Sequence, residues 1–239
     1  MDYLLLLSTI ALGAGSVFLF KLHDPRRVKL LNAFTGAFLL ALTVLHLLPE
    51  LYLSGPGGPA LNPLWIGGIM LAGFFTQVAL DVISRGVEHG HAHSEGGRMP
   101  MGVLAGLCLH ALVEAMALGD ARTHFDPTSR RLLLWSIVLH NFPVSIALMG
   151  MLLHSGMKRA SALGCLGLFA AMAPLGLFCS AHTALSRHTP ELMAMVIGIF
   201  MHISTTILFE SSDVHRFNLA KLGAIVFGTG LGILAVIFH

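Results

Sequence analysis

The chain has 239 residues, of which 55% are hydrophobic and only 11% are charged, and its mean hydropathy is +0.80. A soluble domain carries about a quarter charged residues, so this composition excludes a soluble globular fold and predicts a polytopic membrane protein. The formal net charge of +2 gives no basis for nucleic-acid binding, because the basic residues lie between apolar segments. The three cysteines fall inside apolar segments, and this odd, buried set argues against a disulfide framework.

The apolar segments predict an all-α bundle of eight transmembrane helices. Each segment is close to the ~20 residues that cross a bilayer. The connections are short, so residues 1–239 are expected to form a single transmembrane domain. The N-terminus lacks a basic region and a cleavage site, so the first segment is expected to stay as a helix. The predicted spans are Tyr3–Leu22, Val28–Leu51, Pro63–Ser84, Pro100–Gly119, Arg131–Leu153, Ala160–Ala181, Pro190–Phe209 and Phe217–Phe238.

The distribution of basic residues predicts the orientation of the bundle. Ten of the 14 lysines and arginines fall in the odd-numbered connections and four in the even-numbered ones. Cytoplasmic connections carry the excess of basic residues, so both termini are predicted to lie outside. We expect a multi-pass protein of the cell membrane, which is the inner membrane if the source is a Gram-negative bacterium.

Polar residues near the ends of spans two and three could accompany a metal path. His46 and Glu50 lie one helical turn apart near the outer end of span two, either as an entrance site or as an interfacial polar pair. Residues 85–99 form a predicted cytoplasmic loop. Its closely spaced histidines suit weak, exchangeable metal binding, although the loop could be simply polar. These histidines are His89, His91 and His93.

Spans four and five each place a histidine in the middle of a long apolar segment. His110 and Glu114 are one turn apart on the same helical face. His140 is followed by Asn141 and Pro143, and the proline leaves the carbonyl four residues earlier without its helical donor. Counted from opposite ends, the two histidines lie ~15 Å and ~14 Å deep in a core ~30 Å thick. A shared depth predicts a metal site, and the alternative is two unrelated polar residues packed in a bundle.

The segments LHALVEAMALG and LHNFPVSIAL resemble the fourth-helix and fifth-helix signatures of the ZIP metal transporters. The resemblance is good in helices two to five, about half of the chain. It implies that His110 and Glu114 match the histidine and glutamate of the fourth helix. His140 matches a position held by histidine or glutamine, and Asn141 one that is usually polar or acidic. It also implies uptake into the cytoplasm, as a helix group carrying the site shifts against a scaffold.

The chain departs from the family pattern at two carboxylate positions. Val144 stands where a second glutamate is common, and Ala173 stands where many relatives carry glutamate before a proline. We therefore expect the second of two adjacent metal sites to be absent or very weak. In span seven, His202 is a candidate on the metal path, and Glu210 is an exit-side or interfacial residue.

Two imidazoles and one carboxylate favour Zn²⁺, with Fe²⁺, Mn²⁺, Co²⁺ or Cd²⁺ as alternatives. The predicted function is uptake of this ion as a transported substrate, with no cofactor and no enzymatic activity. A transport-inactive ZIP relative that senses or scaffolds is one alternative. An intramembrane zinc hydrolase is another, although the chain has no HExxH motif. The expected partners are the ion and the lipid bilayer, with homodimer formation left open.

Overall fold

The structure is a computed structural model that describes residues 1–20, 25–53, 62–84, 101–119, 127–210 and 219–238. Within these ranges the regular structure is helical and contains no strand, which confirms the predicted all-α class. The second helix passes through a π-helical turn before it ends. In chain order the helices are α1 (Asp2–Phe20), α2 (Pro25–Leu42, continued by Thr43–Leu47 and Leu48–Leu53), α3 (Pro63–Ser84), α4 (Met101–Met116), α5 (Pro127–His154), α6 (Arg159–His182), α7 (Thr189–Glu210) and α8 (Leu219–Ile237).

Six of these helices are long and apolar enough to cross a membrane, and α1 and α4 are shorter apolar helices. Helix α4 ends at Met116, three residues before the predicted end, and continues as a turn. Arg130 Nε donates a hydrogen bond to the carbonyl of Leu118 in this turn at 3.1 Å, which satisfies a carbonyl that the helix leaves open. The same guanidinium pairs with Asp2 at 2.6 Å. One arginine therefore joins the start of α1, the end of α4 and the start of α5.

Helix α5 is the most enclosed of the long helices. It begins at Pro127 rather than at the predicted Arg131, because proline suits the first turn of a helix. It continues through Pro143 to His154, a length of 28 residues. Of its membrane-spanning stretch, a share of 78% is buried inside the bundle, whereas the share is 11% for the corresponding stretch of α8. Helix α5 is therefore central to the bundle, and α8 turns most of its apolar surface to the surroundings.

The helices pack as two groups. In one group, called the site group, α4 packs on α6, and α1 packs on α5 and α6. In the other, called the support group, α2 packs on α7 and α8, and α3 packs on α7. The two groups meet mainly where α3 contacts α4 and where α2 contacts α5.

Glycines bring helices of the same group into close contact. In the site group, a Cβ atom at Gly176 of α6 would overlap the backbone carbonyl of Leu112 in α4. In the support group, a Cβ atom at Gly198 of α7 would overlap the carbonyl of Met70 in α3. Small residues are the usual means by which membrane helices approach closely, since lipid supplies no hydrophobic force between them. Each group is therefore tightly packed within itself.

We expect Gly176→Ala to destabilise the protein, because the added methyl group has no room between α4 and α6. The cost of overpacking a tight contact is about 1–3 kcal/mol. The matched control is Gly164→Ala in the same helix, where an added Cβ meets nothing within 4 Å. Thermal unfolding in detergent should give a lower Tm for Gly176→Ala than for Gly164→Ala, and equal Tm values would contradict the packing described here.

Candidate metal site

Three side chains from α4 and α5 converge inside the bundle. His110 and Glu114 come from α4 and His140 comes from α5. One potential ligand atom from each lies within 4.8 Å of the other two. The exposed fractions are 0%, 0% and 1%, so the cluster is shielded from the surroundings. Over the described ranges this is the one group of three or more histidine, cysteine or acidic residues with such spacing.

The local sequence explains how the cluster forms. The four-residue interval on α4 stacks the imidazole of His110 above the carboxylate of Glu114. Helix α5 passes beside them and presents His140, whose ring centroid lies 5.7 Å from that of His110 at an interplanar angle of 80°. The structure thus brings together three of the four proposed core ligands.

The hydrogen bonds of His110 indicate which of its ring nitrogens faces the cluster. Its Nδ1 lies 3.0 Å from Gln77 Oε1 on α3, and Gln77 Nε2 donates to Asp81 Oδ1 at 3.4 Å. Because a carboxylate only accepts, the amide nitrogen of Gln77 faces Asp81 and its oxygen faces His110. His110 then donates from Nδ1 and keeps the lone pair of Nε2. That atom lies 3.5 Å from Glu114 Oε2.

This arrangement of acceptors suits a cation. A tetrahedral ion with ligands at ~2.0–2.2 Å holds them roughly 3.3–3.6 Å apart, which matches the separation between His110 Nε2 and Glu114 Oε2. The third atom, from His140, is close enough to join after a shift of about 1 Å. A lone pair and a carboxylate oxygen repel each other unless a proton or a metal ion lies between them. The chemistry of the donors is therefore that of a small, borderline cation.

Asn141, the fourth proposed ligand, is fully buried next to His140. Its Oδ1 and Nδ2 atoms have no hydrogen-bond partner in the part of the chain that the structure describes. Buried amides are almost always hydrogen-bonded, so this side chain points to an occupant such as water or an ion. An amide oxygen can bind a divalent cation directly or through water.

His46 and Glu50 lie apart from the cluster, in the last part of α2. His46 belongs to the π-helical turn of α2, and its Nε2 lies 2.9 Å from the hydroxyl oxygen of Ser129 in α5. Ser129 precedes Arg130, which pairs with the N-terminal Asp2, so this contact is at the same end of the bundle. Both candidates are half-buried.

His202 is also separate from the cluster. Its Nε2 lies 2.6 Å from Asp81 Oδ2, and its ring contacts Phe74 edge to face. Glu210 is the last residue of α7, and its side chain is outside what the structure describes. The predicted loop histidines also lie outside the described residues, namely His89, His91 and His93.

Gln77 and Asp81 lie near the site, and the sequence did not predict their roles. The signal available was two polar side chains one turn apart in an apolar span, which is costly in a membrane. Their partners, His110 and His202, lie 33 and 121 residues away in the chain. Such distant pairs cannot be assigned without the packing of α3 against α4 and α7.

The two departures from the family pattern lie in the core. Val144 is 2% exposed and Ala173 is fully buried. Since both side chains are apolar, neither position offers a carboxylate to the cluster. Both side chains instead belong to the apolar clusters that pack α5 and α6 into the bundle. Glu114 is the one carboxylate in the three-residue cluster.

The fold and the cluster define a class: a multi-pass helical membrane protein with a buried histidine–glutamate site. The model of the ZIP zinc transporter family matches residues 98–237, which is more than half of the chain. The chain therefore belongs to the ZIP family. This confirms the resemblance found in its fourth-helix and fifth-helix segments.

Several relatives are zinc transporters by name. Zinc transporter ZIP9-B of Xenopus laevis is 28% identical over 173 residues, covering 67% of this chain and 57% of the relative. Zinc transporter ZIP9 of Micropogonias undulatus is 28% identical over 152 residues, covering 59% of this chain and 49% of the relative. Zinc transporter ZIP9 of Macaca fascicularis is 31% identical over 109 residues, covering 42% of this chain and 46% of the relative. The chain thus spans about half the length of these relatives.

We expect one tightly bound metal ion per protomer in the membrane site. Two dications a few ångströms apart repel strongly in a poorly screened interior, and Glu114 alone cannot bridge them. Val144 follows His140 by one turn, so Val144→Glu should strengthen metal retention and slow its release. The control is Val144→Gln, because glutamine has the size of glutamate but carries no charge.

The measurement is metal stoichiometry by elemental analysis after removal of the loop histidines. Two tightly held ions in the protein that keeps Val144 would refute the single-site prediction and indicate donors outside the cluster. In the protein used for this measurement, His89, His91 and His93 are each replaced by alanine.

Proposed function

We propose that the protein carries divalent metal ions, with zinc as the favoured substrate, across the membrane through its buried cluster. The ion would bind His110, Glu114 and His140, with Asn141 as a further ligand. The observation that carries the proposal is the convergence of three ligand atoms within 4.8 Å in the fully buried core. Membership of the ZIP family and the names of the relatives support the same function.

The donor set suits reversible binding. Imidazole and carboxylate ligands favour borderline ions, which fits Zn²⁺ and admits Fe²⁺, Mn²⁺, Co²⁺ and Cd²⁺. Three protein side chains leave a position for water, Asn141 or the carbonyl of Leu139, and an open position allows ligands to exchange. One carboxylate leaves about one net positive charge on the bound ion. Affinity should fall in acid, because protons compete with the metal for the histidines.

The architecture supports movement of the bound ion together with its ligands. Both α4 and α5 belong to the site group, so a shift of this group against the support group would carry the complete site. The outer path would begin near His46 and Glu50, and the inner path would pass near His202 and Glu210 towards the histidine loop. Uptake into the cytoplasm is the direction that the ZIP resemblance implies, with both termini predicted to lie outside.

A transport-inactive ZIP relative is the second candidate function. Val144 and Ala173 favour it, because the chain lacks carboxylates at positions where many relatives carry them. Such a protein would bind the ion in the same cluster and hold it without turnover. An intramembrane hydrolase is disfavoured by family membership, since ZIP proteins are transporters rather than enzymes.

Replacing a cluster residue should abolish uptake of radiolabelled zinc by the purified protein in liposomes. We expect this for His110→Ala, Glu114→Ala and His140→Ala, with a folded bundle by size-exclusion chromatography, because each change removes a ligand. The control is His188→Ala, since that side chain is 63% exposed and distant in sequence from the cluster. Normal transport by His110→Ala would rule out the assigned site, and binding without transport in the unaltered protein would favour the inactive relative.

Replacing the three loop histidines together should leave basal transport largely intact and change intracellular metal handling or its regulation. Weak, exchangeable ligands outside the core can collect ions without controlling the crossing step. The variant carries alanine at His89, His91 and His93, and zinc uptake in liposomes is compared with metal accumulation in cells. Complete loss of uptake in liposomes would place the loop in the permeation path.

A further inference from the structure

A polar chain connects the candidate metal site to the support group. It runs from His110 to Gln77 at 3.0 Å, from Gln77 to Asp81 at 3.4 Å, and from Asp81 to His202 at 2.6 Å. His110 belongs to α4, Gln77 and Asp81 to α3, and His202 to α7. The first hydrogen bond therefore crosses the boundary between the two helix groups, and the other two lie within the support group.

The support group holds the accepting oxygen in place. Asp81 receives hydrogen bonds from His202 and from the amide of Gln77, which joins α3 to α7. The His202 ring also packs against the ring of Phe74, with 5.0 Å between the two ring centroids. Since the amide nitrogen of Gln77 is directed at Asp81, its oxygen can be presented only to the opposite side. That oxygen is the one that His110 contacts.

The hydrogen bond decides which nitrogen of His110 is available to the ion. With a proton fixed on Nδ1, the lone pair of Nε2 faces Glu114 Oε2 at 3.5 Å. Without the acceptor, the ring could rotate or carry its proton on Nε2, and both changes would disturb the ligand set. Partners that orient a metal-binding histidine in this way are typically worth 10–100-fold in metal affinity.

We propose that Gln77 is a positioning residue that gives the site its high affinity only while the two helix groups are in the present arrangement. This inference rests on the proposed function. When the site group shifts, the ligands move together, but Gln77 stays with α3 and α7. A displacement of about 1 Å lengthens the 3.0 Å contact beyond hydrogen-bonding range, so His110 loses its orientation and the ion is released more easily.

The neutral side chain of Gln77 suits a bond that must break in each cycle. A hydrogen bond to a carboxylate is roughly twice as strong as one between neutral groups. The carboxylate of the chain, Asp81, lies one step further away and binds groups that remain in the support group. The strongest contact, between Asp81 and His202, therefore does not have to break when the site moves.

The test measures cobalt binding and transport for Gln77→Met and Gln77→Glu. Methionine matches the size of glutamine but removes the acceptor, so we expect the Kd for Co²⁺, followed by its visible absorption, to rise 10–100-fold. The KM for zinc uptake should rise by a similar factor, while the maximal rate is kept or increased because release no longer requires this bond to break. Gln77→Glu keeps an accepting oxygen for His110 but loses the donor to Asp81, so its Kd should lie between those of the unaltered protein and Gln77→Met.

The control is Thr35→Val, which removes a buried hydroxyl that donates to the carbonyls of Leu31 and Asn32 in its own helix. It should leave the Kd and KM unchanged. If Gln77→Met does not fold, Asp81→Asn tests the same chain one step away and should raise the Kd for Co²⁺ by a smaller factor.

The outcomes separate the inference from the proposed function. Wild-type affinity in Gln77→Met, or in Asp81→Asn where that variant replaces it, would overturn the positioning role. Equal loss in Gln77→Met and Gln77→Glu would overturn it too, because the effect would not follow the acceptor. If the unaltered protein binds neither Co²⁺ nor Zn²⁺, the proposed function itself fails.

Discussion

The structure depends on keeping one carboxylate and two imidazoles in the middle of an apolar bundle. A charge at this depth is strongly disfavoured unless an opposite charge or a proton accompanies it. Glu114 is fully buried, and the nitrogen of His110 that faces it carries a lone pair if the ring donates to Gln77. The local charge balance thus calls for a cation. The most enclosed of the long helices, α5, shields one side of this site and supplies His140 to it.

The two helix groups contribute different parts of this site. The proposed ligands come from the site group, whereas the acceptor that orients His110 comes from the support group. Glycines pack the helices closely within each group, as Gly176 does against Leu112. The proposed shift between the groups would therefore preserve the ligand set but remove the acceptor that orients His110. In this proposal, the affinity for the ion depends on the relative position of the two groups through one hydrogen bond, from His110 to Gln77.

With the single ion expected here, the apolar residues Val144 and Ala173 would leave a simpler charge balance than that of a two-metal site. A single carboxylate and a single dication leave about one positive charge, whereas a second dication would add two more in a poorly screened interior. The apolar side chains at these positions contribute to packing instead.

The sequence alone determined the all-α membrane class, the eight helices and the local pairing of His110 with Glu114, because hydropathy and helical periodicity are properties of neighbouring residues. It also predicted that His140 would share their depth, since a helix advances by a constant rise per residue. The helix ends were predicted less well: α4 ends three residues before the predicted Gly119, and the turn that follows is held by the hydrogen bond from Arg130 of α5 to the carbonyl of Leu118.

Only the tertiary structure decided which distant polar residues meet. The bond from Gln77 to His110, the pair of Asp81 with His202 and the contact of His46 with Ser129 all join different helices. An apolar helix can turn any face to a neighbour with little change in hydropathy, so the pattern of apolar residues does not specify these pairings. Close contacts at glycines such as Gly176 and Gly198 fix how the helices of a group face each other, and this packing places the polar groups together.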